Sequence, residues 1–292
     1  MSAPHAARPV VAGIDGSDHG LAALRWAADE ARRRSAPLWV VHAFDPVHAE
    51  FFALEEPAFV AAERRAAEKV LDTAVRQARE LAGHVEVRPV LETGTPPVVL
   101  LRQSALADLV VLGSRGRGDF TSLLLGSTSL QVAMHAHCSV VVVRTAADET
   151  PGPSAGRIVV GTDGSPQSER AVGFAFERAQ EQGLGITAVR AWLAPTMYIS
   201  TFPVEDWRQL KVQERVALAE SLALWRKQYP GVDVVEKSVA GEPAKVLSDE
   251  SAGAELLVVG SHGRGGFGGL LLGSVSHAAL HHAHCPVAVL RP

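Results

Sequence analysis

One long-period repetition governs this sequence. Val10-Val-Ala-Gly-Ile-Asp-Gly-Ser17 returns as Ile158-Val-Val-Gly-Thr-Asp-Gly-Ser165, and Asp108-Leu-Val-Val-Leu-Gly-Ser114 returns as Glu255-Leu-Leu-Val-Val-Gly-Ser261. Leu123-Leu-Leu-Gly-Ser127 comes back as Leu270-Leu-Leu-Gly-Ser274, and His135-Ala-His-Cys138 as His282-Ala-His-Cys285. The order is kept, with an offset of 148 residues early and 147 later. Solenoid repeats have periods of roughly 20–50 residues, so a period this long means two whole domains. The expected division is 1–146 and 157–292, joined by a linker over 147–156 where Pro151, Gly152, Pro153 and Gly156 cluster.

Inside each half, short apolar runs alternate with helical patterns. Val10–Ile14, Leu38–Phe44, Leu109–Leu112 and Val140–Val143 read as strands buried on both faces, with Val85–Leu91 a weaker candidate. Their partners are Ile158–Thr162, Ile186–Trp192, Leu256–Val259, Val287–Leu290 and, more weakly, Val232–Val239. Val70, Leu71, Ala74, Val75, Ala78 and Leu81 recur at helical spacing, as do Leu218, Leu222, Trp225 and Tyr229. Ser165-Pro166 is a helix start, with Ser as N-cap and Pro at the first helical position. The alternation implies an α/β fold: two similar open parallel-sheet domains with helices on both faces. Ligands of such sheets sit at the carboxyl ends of the strands, near a topological switch point.

Composition narrows the function classes. With 47% hydrophobic and 21% charged residues the chain is globular. A net charge of -4 makes no electrostatic case for nucleic acid or an anionic membrane as partner. Two cysteines, Cys138 and Cys285, are no disulfide framework and read as small buried hydrophobes at a strand start. Residues 1–8 lack an apolar core of signal-peptide length, and no apolar run approaches the roughly 18 residues of a membrane span, so a cytoplasmic protein is expected.

The chemistry lies after the fourth strand of each half. Leu109–Leu112 runs into Gly113-Ser-Arg-Gly116-Arg-Gly118, and nine residues separate Gly116 from Gly126-Ser127. The second half has Gly260-Ser-His-Gly263-Arg-Gly265, again with nine residues before Gly273-Ser274. Successive backbone amides in a glycine turn make an anion-binding nest. Gly126-Ser127 and Gly273-Ser274 stand where a helix begins, and amides, a hydroxyl and the positive helix end converging there suit a phosphate. Arg115, Arg117 and Arg264 add positive charge. A plain strand-to-helix turn is the alternative for a single loop, and the repetition weighs against it. Asp15 and Asp163, in Asp-Gly-Ser, also read as turn residues. Gly263-Arg-Gly265-Gly-Phe-Gly268 matches the dinucleotide pattern, but it follows a late strand, its repeat partner has Thr121 at the third glycine, and no acidic residue lies about 20 residues on.

The doubled Gly-x2-Gly-x9-Gly-Ser pattern, each copy preceded by the Asp-Gly-Ser turn, resembles the nucleotide-binding signature of the universal stress protein family. The resemblance covers nearly the whole chain, as two domains in tandem. It implies five strands per domain, a Rossmann-like fold of the adenine nucleotide alpha hydrolase type, and ATP, with Mg²⁺, held across the first and fourth strands. By that resemblance Asp15 and Asp163 approach the adenosine and Val41 and Val189 contact adenine. Gly113, Ser114, Arg115, Gly116, Arg117 and Gly118 wrap the triphosphate of the first site, as Gly260, Ser261, His262, Gly263, Arg264, Gly265 and Gly266 do in the second. Gly126, Ser127 and Thr128, or Gly273, Ser274 and Val275, close on it, and Gly13 and Gly161 complete the sites. The first loop departs from the family pattern at Asp119, which sets a carboxylate near the expected phosphates. The resemblance also implies pairing through the last strands, Val140–Val143 and Val287–Leu290.

Other readings stand beside this one. His277 and His281 are four apart on a helical pattern, a spacing that can bind zinc but is more often a surface face; no metal site is assigned from sequence. The connectors Phe44–Phe59 and Trp192–Trp207 are long and aromatic, suited to covering a ligand, meeting a partner or packing over a sheet edge. Binding elements outnumber catalytic ones, and no catalytic residue is assigned. The expected function is an ATP-binding regulator of stress response or growth, acting through nucleotide-dependent conformation, with a homodimer and a regulatory protein as partners. A slow ATPase or nucleotidyl transferase, and a nucleotide-free interaction module, are the alternatives.

Overall fold

The computed structural model describes residues 7–45, 57–116, 125–144, 152–193, 204–264 and 271–291, with backbone alone at 57–59 and 204–206. The chain divides into two units, Met1–Thr145 and Ala146–Pro292. In the first, the order is β1 (Val10–Gly13), α1 (Asp18–Arg34), β2 (Leu38–Phe44), α2 (Pro57–Ala82), β3 (Val87–Thr93), α3 (Pro96–Ser104), β4 (Leu109–Gly113), α4 (Ser127–His135) and β5 (Ser139–Val143). The second repeats it with β6 (Arg157–Gly161), α5 (Pro166–Gln182), β7 (Gly185–Trp192), α6 (Val204–Gln228), β8 (Val234–Ala240), α7 (Pro243–Glu250), β9 (Leu256–Gly260), α8 (Ser274–His282) and β10 (Val287–Leu290).

Each unit holds its strands in the order third, second, first, fourth, fifth: β3-β2-β1-β4-β5 and β8-β7-β6-β9-β10. Every strand pair within a unit is parallel, for instance Val10 beside Leu38 on one side and Leu109 on the other. Strands β1 and β4, paired on both sides, are almost wholly buried, which explains their unbroken apolar runs, while edge strands β3 and β8 are partly exposed along their length. The chain steps from β1 to β2 to β3 in one direction, then returns past β1 to β4 and β5. Right-handed crossovers therefore lay α1 and α2 on one face and α3 and α4 on the other. A crevice opens where the direction reverses, between β1 and β4 and between β6 and β9.

Local chemistry sets the helix ends. The Ser17 hydroxyl caps α1 by accepting from the Gly20 amide at 3.1 Å, with Asp18 in the first turn and Arg32, Arg33 and Arg34 in the last, each the favourable sign for its end. Ser165 caps α5 in the same way through the Ser168 amide, with Pro166 behind it, as the sequence predicts. The two weaker strands lie about two residues later than their apolar runs suggest, at Val87–Thr93 and Val234–Ala240. Leu81, predicted on an apolar face, is 42% exposed at the C-terminal end of α2, whereas Leu71, Val75 and Ala78 are buried. Cys138 and Cys285 are buried just before β5 and β10, each Sγ donating to the carbonyl of the next residue, at 3.4 and 3.3 Å. Within the stretch read as linker, residues 152–156 form a turn tied down by Ser154, whose buried hydroxyl donates to Glu250 at 2.8 Å. Among the described residues no helix is long and apolar enough to cross a membrane.

Candidate nucleotide cavities

The Asp-Gly-Ser turns leave β1 and β6 at the crevice. Gly16 and Gly164 take φ of 83° and 76°, which turns the chain sharply into the helix. The preceding carboxylate is thereby fixed. Asp15 Oδ1 accepts from the Ser17 amide at 3.0 Å and the Ser17 hydroxyl at 2.6 Å. Asp163 Oδ1 accepts from the Ser165 amide at 2.9 Å, while its Oδ2 accepts from the Arg264 amide at 2.7 Å, a bond between residues 101 apart. Burial pushes the Asp163 carboxyl up, but the hydrogen bonds from Ser165, the Arg264 amide and Ser168 together outweigh it and hold the group below the ordinary carboxylate range.

The glycine loops close against these carboxylates. A Cβ at Gly116 would stand 2.8 Å from Asp15 Oδ2, and one at Gly263 2.5 Å from Asp163 Oδ2. Only glycine allows the loop to lie that near the Asp. The loop is held from behind as well. The Ser114 amide donates to the Val143 carbonyl and the Ser261 amide to the Leu290 carbonyl, both at 2.8 Å. The Gly126 amide reaches Ser114 O and the Gly273 amide Ser261 O, both at 2.7 Å.

Helices α4 and α8 then start at the cavity. Their N-caps, Gly126 and Gly273, have no side chain to satisfy the first-turn amides. The first bond back to each cap comes only from Leu130 or His277. The opening residues, Ser127 to Ser129 and Ser274 to Ser276, line the cavities, so an anion there would meet amides and the positive helix end. Ser129 and Ser276 anchor this turn by donating their hydroxyls to the Gly113 and Gly260 carbonyls, at 2.7 and 2.5 Å.

The cavities measure about 340 Å³ in the first unit and 430 Å³ in the second. Both fall in the range of about 300–1,000 Å³ usual for small-molecule sites. Of the residues singled out from sequence, Gly13, Asp15, Val41, Gly113, Arg115, Gly116, Gly126, Ser127 and Thr128 line the first. Gly161, Asp163, Val189, Gly260, His262, Gly263, Arg264, Gly273, Ser274 and Val275 line the second. Ser114 and Ser261 line neither; they are buried and hold the loops from beneath. Arg117, Gly118, Asp119, Gly265 and Gly266 lie outside the described residues, as do most of the two aromatic connectors.

Sequence reasoning missed the apolar wall. Pro96 and Leu100 of α3, with Leu112, back the first cavity, and Pro243 and Leu247 of α7, with Val259, back the second. The signal was present in Thr95-Pro96 and Glu242-Pro243, each an N-cap followed by Pro at the helix start. It also missed an asymmetry. His42 lines the first cavity, with Nδ1 2.8 Å from the Ile14 carbonyl. Its counterpart Arg190 is buried beneath α6, donating to Glu214 at 2.5 Å. At the first site His19 neighbours Arg115, Asp15 and Asp18; burial, then Arg115, lower its pKa against the two carboxylates.

The sequence model described as the Universal stress protein family matches residues 6–144 and 155–291. A universal stress protein of Mycobacterium tuberculosis is 38% identical over 295 residues, spanning 100% of this chain and 99% of that protein. One of Mycolicibacterium smegmatis is 36% identical over 293 residues, spanning 97% of each. The crystal structure of a universal stress protein from Archaeoglobus fulgidus superposes with a TM-score of 0.68 at 19% identity, over 97% of this chain and 96% of that one, a likeness of fold.

Proposed function

Because the chain belongs to the universal stress protein family, as two such domains in tandem, we propose that each domain binds ATP and that occupancy regulates a stress or growth response through loop conformation or partner binding. One observation carries the reading: in both units a clamped carboxylate, a glycine loop and an uncapped helix N-terminus converge on one cavity. These are binding elements, and they fit the ligand. Missing Cβ atoms bring loop backbone close to the Asp, first-turn amides face the space a phosphate would take, and Val41 with Leu100, or Val189 with Leu247, offers an apolar wall to a base. Mg²⁺ is expected to ride on the phosphates with water, since both oxygens of Asp163 are already engaged by amides. Bound Mg²⁺ would neutralise phosphate charge; the protein's own residues orient the nucleotide.

The test is the nucleotide content of the purified protein, followed by calorimetric titration with ATP and Mg²⁺. Near two ATP per chain supports the proposal. Absence of both copurified nucleotide and titratable binding overturns it in favour of an interaction module. Mostly ADP, with multiple turnover at about 1 per second or faster, would make the protein an ATPase instead.

A further inference from the structure

The two cavities differ at the end where an anion would sit. That end is marked by the glycine N-caps of α4 and α8. A Cβ at Gly126 would stand 3.6 Å from the Arg115 Cα, and one at Gly273 3.3 Å from the His262 Cα. Residues 115 and 262 therefore root beside the first turn of each helix, and both line their cavities. Arg115 is exposed, and among the described residues no ion pair engages it. Its charge is felt at His19, whose pKa burial and then Arg115 lower. His262 is half-buried, with Nδ1 3.3 Å from Ser261 Oγ. A guanidinium is long and keeps its charge at every working pH, whereas an ordinary imidazole is shorter and gives its charge up near neutrality. The first helical turn differs in the same sense. Thr128 brings a hydroxyl donor to the first cavity, where Val275 brings only methyl groups to the second. Arg264 does not restore the balance. Its Nη2 lies 2.8 Å from the Cβ position of Gly164, against the turn after β6, and Arg117 holds the same place in the sequence of the first loop.

We propose that the two cavities sort nucleotides by phosphate number, an inference that rests on nucleotide binding at both. Arg115 and Thr128 make the first selective for a nucleoside triphosphate. The second, with His262 and Val275 in their places, discriminates far less between tri- and monophosphate. What the cavities share, the free first-turn amides of α4 and α8, serves a single phosphate equally in each. Two further phosphates extend the anion beyond those amides, and there the first cavity alone adds Arg115 and a threonine hydroxyl. An exposed ion pair raises affinity by up to about fivefold, and a hydrogen bond to a charged group by about tenfold or more. The triphosphate-to-monophosphate preference of the first site should therefore exceed that of the second by roughly tenfold. With both nucleotides present, the first site follows the triphosphate level and the second the sum of the two.

The test is calorimetric titration of the nucleotide-stripped full chain with ATP and with AMP, each with MgCl₂, at about pH 8, where an ordinary imidazole is neutral. Wild-type protein should show two sites whose ATP-to-AMP affinity ratios differ roughly tenfold. Arg115→His, which copies the second unit's residue, should lower ATP affinity at the more selective site about fivefold and change AMP affinity there less than twofold. Arg115→Lys should keep most of the selectivity, because it keeps the charge. His262→Arg, the reverse exchange, should raise the ratio at the less selective site. Far-UV circular dichroism verifies that each variant is folded. A purely structural role for Arg115 would weaken ATP and AMP alike. Equal ratios at the two wild-type sites, or a folded Arg115→His protein whose ratios are unchanged or whose two affinities fall together, would overturn the proposal while leaving nucleotide binding intact. Binding of neither nucleotide in wild type would overturn both.

Discussion

Replacing Gly263 by Ala places a methyl carbon 2.5 Å from Asp163 Oδ2, far inside the ordinary contact distance of 3.4 Å. The carboxylate has little room to withdraw, because the Ser165 amide holds one oxygen at 2.9 Å and the Arg264 amide the other at 2.7 Å. Relief must come from the loop moving outward, which breaks the Arg264–Asp163 bond. A hydrogen bond to a charged group contributes about 1.5–3 kcal/mol. Each tenfold in affinity corresponds to about 1.4 kcal/mol. If the open loop must reclose around the ligand, nucleotide binding at the second site weakens by roughly 10- to 150-fold. The equivalent Gly116→Ala contact is 2.8 Å, so the first site should suffer less. Calorimetry with ATP and Mg²⁺ on stripped protein reads both sites: Gly263→Ala should leave one site of wild-type affinity and one weakened. Two unchanged sites in a folded Gly263→Ala protein would refute the idea that the Asp–loop contact shapes the cavity.

Gly126→Asp puts a capping carboxylate where only ordinary contacts lie, the nearest being the Ser114 carbonyl at 3.5 Å. It should stabilise α4 by a few tenths of a kcal/mol in urea melts while weakening nucleotide binding at the first site at least about tenfold, because it occupies the amides and repels phosphate. Phe176, fully buried beside Trp225 and Tyr229 at centroid distances of 6.4 and 6.0 Å, should lose about 3–5 kcal/mol of folding stability on change to Ala, measured by denaturant unfolding. Asp163 titrates lower folded than unfolded, so its contribution is present above its unfolded value near pH 4 and is lost as pH falls through the folded value. Asp163→Asn should therefore be less stable than wild type near neutrality, and the gap should narrow below about pH 4; a gap independent of pH would show that the carboxylate's charge is not what the turn uses.

The repeat and the strands at the centre of each sheet were legible from composition and order alone. Val10–Gly13 and Leu109–Gly113 are paired on both sides and almost wholly buried, and only continuous apolar runs survive there. The helix starts at Ser17 and Ser165 were equally readable, since a cap is a local device whose partners lie three residues away. The glycine loops announced themselves by spacing, repeated after the same strand in each half.

What folding alone decided are the relations between residues distant in the chain. The amide of Arg264 meets the carboxylate of Asp163 because parallel pairing sets β6 beside β9, and no local pattern carries that contact. Ser114 and Ser261 turn inward because their amides are claimed by the carbonyls ending β5 and β10. His42 faces the first cavity while Arg190 lies under α6, since the long helix of the second unit offers Glu214, itself half-buried, as a charged partner. Short-range preferences thus wrote the strands, caps and loops into the sequence, and the register of the sheets determined which of those loops would face each other across a cavity.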